Sequence, residues 1–235
     1  MNSLNKMAYL SVLALSLCSG SVFSMDIFSS IETDDIERVK ELIVFGGSGI
    51  INTQNSDGLA PLHLAAERGR TKIVQALVNY GANVDQRNSL GETALHVAVF
   101  SEHEDIVDML IAAGANPNLA NRYGLAPLHF AALQGLPEMA KRLISAQAYV
   151  GLQDRKGRTP LHWAISSDNL LVIQRLINAG ADIDKQNLKG QTPLGVALED
   201  DLQEVARFLI DQGASISIEY DVQDGDVEMT YAEDV

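Results

Sequence analysis

Four histidines, His63, His96, His129 and His162, recur at intervals of 33 residues. Imidazole can ligate a metal, move a proton or hold backbone by hydrogen bonds. The interval decides among these. If 33 residues make one structural layer, neighbouring histidines lie a stacking distance apart, about 8–10 Å. Zinc–nitrogen bonds are about 2 Å, so the ladder cannot converge on one ion, and each ring is expected to bond to local backbone. His103 stands apart, flanked by Glu102 and Glu104, with no second pair of ligands in the pattern. No phosphate-loop, H-E-x-x-H or G-x-S-x-G motif occurs. The run Gly46-Gly47-Ser48-Gly49 follows a helical stretch and lacks a lysine, so it does not make a phosphate loop. The expectation is no catalytic residue, no metal and no cofactor.

The same period governs the residues around the histidines. Gly58, Gly91, Gly124, Gly157 and Gly190 are spaced 33 apart, as are Ala65, Ala98, Ala131, Ala164 and Ala197. A second glycine series, Gly81, Gly114, Gly180 and Gly213, misses one member at Gln147. Pro61, Pro127, Pro160 and Pro193 suit a first helical position, where the missing N–H costs nothing. Thr93, Thr159 and Thr192 precede that position and can cap a helix. A second helix follows in each period, with apolar residues at helical spacing: Ile73, Val74, Leu77 and Val78, then Ile106, Val107, Leu110 and Ile111. Pro137 fits its start in one repeat, and the second glycine series fits its C-terminal stop. Helices this short are marginal alone, so each repeat must be covered by its neighbours.

Five segments carry the pattern, among them NSDGLAPLHLAAERG from Asn55, DRKGRTPLHWAISSD from Asp154 and NLKGQTPLGVALEDD from Asn187. They resemble the ankyrin repeat, whose signature is G-x-T-P-L-H-x-A at this period. The resemblance covers about residues 29–217 and implies an all-α fold: an ankyrin-repeat solenoid of stacked helix-turn-helix units with projecting hairpin loops. The expected organisation is a signal peptide over 1–24, a degenerate capping repeat over 25–54, repeats at 55–87, 88–120, 121–153, 154–186 and 187–217, and an acidic tail over 218–235.

Departures from the pattern carry expectations of their own. The capping unit lacks the T-P-L-H box, although residues 35–43 read as a second helix. A two-residue insertion falls in Gly46–Gly49. Ala60 and Ala126 replace the capping threonine, a loss worth typically about 1 kcal/mol. Gln147 stands where positive φ strains an ordinary residue, so the turn there is expected to differ. Gly195 replaces the histidine of the last repeat, where glycine inside a helix costs roughly 1 kcal/mol, so this end is expected to fray. Beyond Ser217 the chain has seven acids and no Lys or Arg. Disorder is expected there, or else a short segment packed through Ile218, Tyr220 and Val222.

Net charge is −14, which argues against nucleic acid and against an anionic membrane surface. In ankyrin-like stacks, partners contact the loop tips and the exposed side of the first helix. Carried onto this chain, that implies a candidate surface of Leu59, Leu90, Phe100, Tyr123, Leu125 and Leu133. These apolar residues occupy positions that are usually polar. Packing on adjacent loops is the plainer reading of them, as core packing is of Trp163. Arg68 lies on the first-helix side. Arg155, Lys156, Arg158 and Lys189 add a small basic area that could receive an acidic partner or the chain's own tail.

Residues 1–24 have a basic start, an uncharged apolar run and small residues before Met25, the pattern of a secretory signal peptide. Cleavage is expected after Ser24, with Gly20 the other choice. An uncleaved anchor and a lipoprotein using Cys18 are the competing readings. Cys18 is the one cysteine, so the repeats tolerate an oxidising compartment. The expectation is an exported bacterial monomer, periplasmic or secreted, that binds another protein and touches no membrane after cleavage. The alternatives are a secreted effector that binds a host protein and an inhibitory subunit of an enzyme.

Overall fold

The computed structural model describes residues 22–216, and within them thirteen helices and no strand. Residues 1–21 of the leader, and residues 217–235 with the acidic tail over 218–235, lie outside the described residues. Two compact units divide the chain, residues 1–122 and 123–235.

In the first unit the helices are α1 (Val22–Glu32), α2 (Ile36–Gly46), α3 (Ser48–Ile51), α4 (Pro61–Glu67), α5 (Thr71–Asn79), α6 (Ala94–Phe100) and α7 (Glu104–Ala112). Helices α1, α4 and α6 stack as one layer, and α2, α5 and α7 as the other. The second unit repeats the plan. Helices α8 (Pro127–Leu133), α10 (Pro160–Ser166) and α12 (Pro193–Glu199) form one layer, with α9 (Pro137–Ser145), α11 (Leu170–Asn178) and α13 (Gln203–Asp211) behind them. The first-layer helices from α4 onward have seven residues each, and the periodic alanines Ala65, Ala98, Ala131, Ala164 and Ala197 are fully buried on them. Alanine keeps neighbouring helices close, and a larger side chain would overpack the layer.

The prolines open α4, α8, α10 and α12 at the first turn. Helix α5 ends as its glycine leads one to expect. Gly81 (φ 86°) donates its amide to Val78 O at 3.0 Å, and Ala82 donates to Leu77 O at 2.9 Å. This left-handed turn satisfies two terminal carbonyls.

Three departures resolve in physical terms. The unit before Asn55 has a first helix after all: Ile27 and Ile31 of α1 are buried, one turn apart, without any T-P-L-H box. Helix α1 runs across the Ser24–Met25 bond. The insertion near Gly46 forms the extra helical turn α3, and Asp35 caps α2 by accepting the Arg38 amide at 3.0 Å. At Gln147, contrary to expectation, the turn is kept. Its φ is 65°, and its amide reaches Ile144 O at 2.9 Å, as glycine does in the other repeats. The neighbouring hydrogen bonds hold the turn in spite of the side chain's steric cost. Replacing Gln147 with glycine is therefore expected to raise stability by up to about 1 kcal/mol. A urea unfolding series comparing Gln147→Gly with the parent chain measures it, and a lower midpoint would contradict the strain.

Candidate functional site

The candidate surface is built on hairpin arms between repeats, and the arms are held by one polar residue each. In the arm at Asn88, the side-chain oxygen accepts the amides of Leu90 and Glu92, both at 2.9 Å. Asn187 does the same for Lys189 and Gln191, at 2.8 and 3.1 Å. Short amide and carboxylate side chains make such turns because they reach backbone two residues on. The other half of each side chain selects its partner. The Asn88 amide nitrogen donates to the Glu92 carboxylate at 3.1 Å, and the Asn187 amide to Gln191 Oε1 at 3.0 Å. Asp154 has no amide to give. Its Oδ2 instead accepts from Arg158 Nε at 2.9 Å and Nη2 at 2.8 Å. Residue type four positions on is thus matched to Asn or Asp at the arm's base.

Histidine joins the arms to the helices. His63 Nδ1 accepts the Ala60 amide at 3.2 Å, so its proton sits on Nε2, which donates to the Glu92 carbonyl at 3.0 Å. His162 repeats this with Thr159 at 3.2 Å and Gln191 O at 3.1 Å. His129 accepts from Ala126 at 3.0 Å and donates to Leu152 O at 3.0 Å. At His96 and His162, the preceding threonine hydroxyl also donates to Nδ1, at 2.9 Å in each case. At Ala60 and Ala126 that hydroxyl is missing, yet the imidazole still closes the helix start. In the last repeat the arrangement inverts: Thr192 Oγ1 accepts the Gly195 amide at 3.1 Å. The ladder is structural, as its spacing implied. His103 likewise donates from Nε2 to Glu67 O at 3.2 Å, and its ring lies against Gly69, where an added Cβ would come within 2.7 Å of it.

Burial lowers the pKa of His63, His129 and His162, that of His129 to about 4. Burial also pushes the Asp154 carboxyl up, but hydrogen bonds from the Arg158 and Lys156 amides and the Arg158 guanidinium outweigh it, and Asp154 titrates below the usual carboxylate range.

The tips carry the candidate residues. Among the apolar ones, Leu90, Phe100, Tyr123 and Leu133 are exposed, at 44, 58, 60 and 37%. Leu59 and Leu125 are half-buried. Leu90 and Phe100 belong to the first unit, and Tyr123, Leu125 and Leu133 to the second. The cations divide by environment. Arg68 makes a two-pronged pair with Glu32, at 2.9 and 3.0 Å, and a third contact with Glu67 at 2.8 Å. Arg158 is held by Asp154 and lies over the Trp163 ring, 3.7 Å from its centre. Arg155, Lys156 and Lys189 are exposed. Sequence reasoning missed the Asp154–Arg158–Trp163 group, in which the indole N–H also donates to Asp154 Oδ2 at 3.2 Å. The legible signal was Asp154 with Arg158 four positions on, where the other arms carry Asn with Leu, Glu or Gln.

Neighbouring tips are tied by backbone. Arg122 donates to Leu90 O at 2.9 Å, Arg155 to Tyr123 O at 3.1 Å and Leu188 to Lys156 O at 2.9 Å. At the first arm, the Ser89 hydroxyl donates to Asp57 O at 2.6 Å. Glycine is required at the crossing: a Cβ on Gly157 would sit 2.7 Å from Leu188 N.

Two outcomes are expected. Well above pH 6.5, His63, His129 and His162 are neutral whether the chain is folded or not, and their contribution is complete. As pH falls from 6.5 towards 4, the unfolded chain takes up protons that folded His129 refuses, and stability declines. His129 alone accounts for about 3 kcal/mol of that decline. Asp154 adds a further loss below its ordinary value of 3.8, as its folded carboxylate is protonated. Thermal melts between pH 7.5 and 4.5 test this, and a melting temperature that does not fall over the interval would refute the neutral ladder. Asp154→Asn keeps the turn but removes the acceptor for Arg158 and Trp163, and should cost about 1–3 kcal/mol. Urea unfolding would read that loss, and a neutral result would show the group to be idle.

Residues 27–121 and 123–220 match the family model described as "Ankyrin repeats (3 copies)". No curated protein matches the chain. The two matched stretches cover most of the 235 residues, the helix pairs and projecting arms follow the same period, and the chain belongs to the ankyrin repeat family, whose repeats serve as scaffolds for protein–protein interaction and are generally non-enzymatic.

Proposed function

We propose that this chain is a monomeric, non-enzymatic protein-binding scaffold that acts outside the cytoplasm. The observation that carries the binding reading is the exposure of Phe100 in the first unit and of Tyr123 in the second, each at a position used for recognition in ankyrin-type stacks. Aromatic side chains supply contact area at low entropic cost and commonly anchor interfaces. Neither ring is needed to fill the core, which Ala, Leu, Ile and Val already occupy. Exposed apolar residues also occur on second-layer helices, such as Leu171 on α11, but scattered single residues are ordinary on a protein surface. The extracytoplasmic part rests on the composition of residues 1–24 and on repeats without cysteine.

A photo-activatable phenylalanine placed at position 100, 123 or 171 of the full chain, expressed in its source cells, tests the surface. Discrete adducts from positions 100 and 123 but not 171 are expected. Phe100→Asp should then weaken the identified partner at least tenfold, about 1.4 kcal/mol. Adducts from position 171 alone would move the interface to the other side. Mass spectrometry of the N-terminus after cell fractionation tests the location. A product starting at Met25 in the exported fraction is expected, and a cytosolic product retaining Met1 would overturn export.

A further inference from the structure

Charge is distributed differently over the tips of the two units. In the first, residues 56–59 and 89–92 hold Asp57 and Glu92 and no base. In the second, residues 123–125, 155–158 and 188–191 hold four bases and no acid. One of the four, Arg158, is held by the buried Asp154 at 2.8 and 2.9 Å. The other three, Arg155, Lys156 and Lys189, are exposed.

Apolar surface lies among these cations. Tyr123 is 60% exposed, and Leu188, at 77%, is the most exposed large apolar residue among those described. The bonds between arms set the five residues side by side. The Arg155 amide donates to Tyr123 O at 3.1 Å, and the Leu188 amide to Lys156 O at 2.9 Å. Because these ties are made by backbone, they fix the height of each tip and leave the side chains to the surface.

Spacing narrows what can lie across them. Lys156 and Lys189 stand one repeat apart, about 8–10 Å. A segment in the extended polyproline conformation has three residues per turn and rises about 3.1 Å per residue, so every third side chain returns to one face about 9 Å further on. Carboxylates at every third position of such a segment meet successive arms. The net charge of −14 opposes an acidic partner at long range. Screening confines that repulsion to about 8 Å at physiological ionic strength, so at contact the tip cations decide.

We propose that the arm tips of the second unit bind an extended acidic segment of a partner protein. Carboxylates three residues apart pair with Arg155 or Lys156 on one arm and with Lys189 on the next, and an apolar side chain beside them packs on Tyr123 or Leu188. The proposal rests on the protein-binding reading and names the chemistry of the partner.

Fluorescence anisotropy on the full chain tests it, with a labelled proline-rich peptide that carries Asp at every third position and one Phe. An isomer of the same composition with its Asp residues contiguous should bind at least threefold more weakly. Replacing Lys156→Glu and Lys189→Glu together should weaken the spaced peptide at least tenfold, whereas Lys72→Glu, an exposed change in the first unit, should leave it unaltered. Raising the salt from about 0.05 to 0.5 M should also release it. Equal binding of the two isomers, or indifference to the double reversal in a variant whose circular dichroism is unchanged, would overturn the proposal. Affinity that rises at least tenfold in a full chain carrying Glu219→Gln, Asp221→Asn and Asp224→Asn would assign the surface to the chain's own acidic end instead. Self-association abolished by the double reversal would assign it to a second copy. Cross-linking at positions 100 and 123 separates this proposal from the reading beneath it. A partner captured there whose affinity survives the double reversal would sink the acidic segment and leave protein binding standing.

Discussion

The arms at Asn88, Asp154 and Asn187 each depend on a buried polar side chain bonded to backbone. The helices are too short to stand alone, and the loops between them expose amides and carbonyls that helices would otherwise absorb. Asn88, Asp154 and Asn187 close the arms, and the ladder imidazoles link the helix starts to the arms beyond. A buried donor or acceptor left unpaired costs about 1–3 kcal/mol. The apolar layers supply cohesion, but without these bonds the arms would have no fixed height above them. The recognition surface therefore inherits its geometry from hydrogen bonds made well below it.

That dependence has an electrostatic side. A neutral imidazole can accept at one nitrogen and donate at the other; a charged one can only donate. Burial keeps His63, His129 and His162 neutral, so the same desolvation that excludes water also preserves the bond to the helix-start amide. In the last repeat, Gly195 removes the ring, and Thr192 accepts an amide instead of donating to a nitrogen. One hydroxyl thus plays opposite roles in neighbouring repeats, according to whether a histidine stands three positions on.

The helical architecture was legible because its signals repeat. A proline, an alanine or a glycine at one position is weak, but four or five in register specify a turn, a close approach and a stop. The histidines' structural role was equally readable from their spacing. Single positions were harder. Helix α1 has no repeat signature of its own, and its buried Ile27 and Ile31 sit beside an apolar leader that obscures them. Gln147 keeps its turn because its neighbours' bonds outweigh its intrinsic preference. Among the candidate surface residues, exposure separated Phe100 and Tyr123 from half-buried Leu59 and Leu125. Ion pairing likewise separated Arg68 and Arg158 from Arg155, Lys156 and Lys189. Those distinctions depend on which side chain lies next to which, and periodicity does not carry that information.

The matched pairs at the arm bases bear on how such a protein changes over time. Asn88 is suited to Glu92, and Asp154 to Arg158. Exchanging one member alone would set carboxylate against carboxylate, or an amide donor against a guanidinium. Duplication or recombination at repeat boundaries moves both members at once and never meets that barrier. Whole repeats can therefore be shuffled, gained or lost with such a pair intact, while an isolated charge change at the base of these arms breaks it. Variation is left to exposed tip positions such as Leu90 and Leu188, which lie outside the matched pair of their arm.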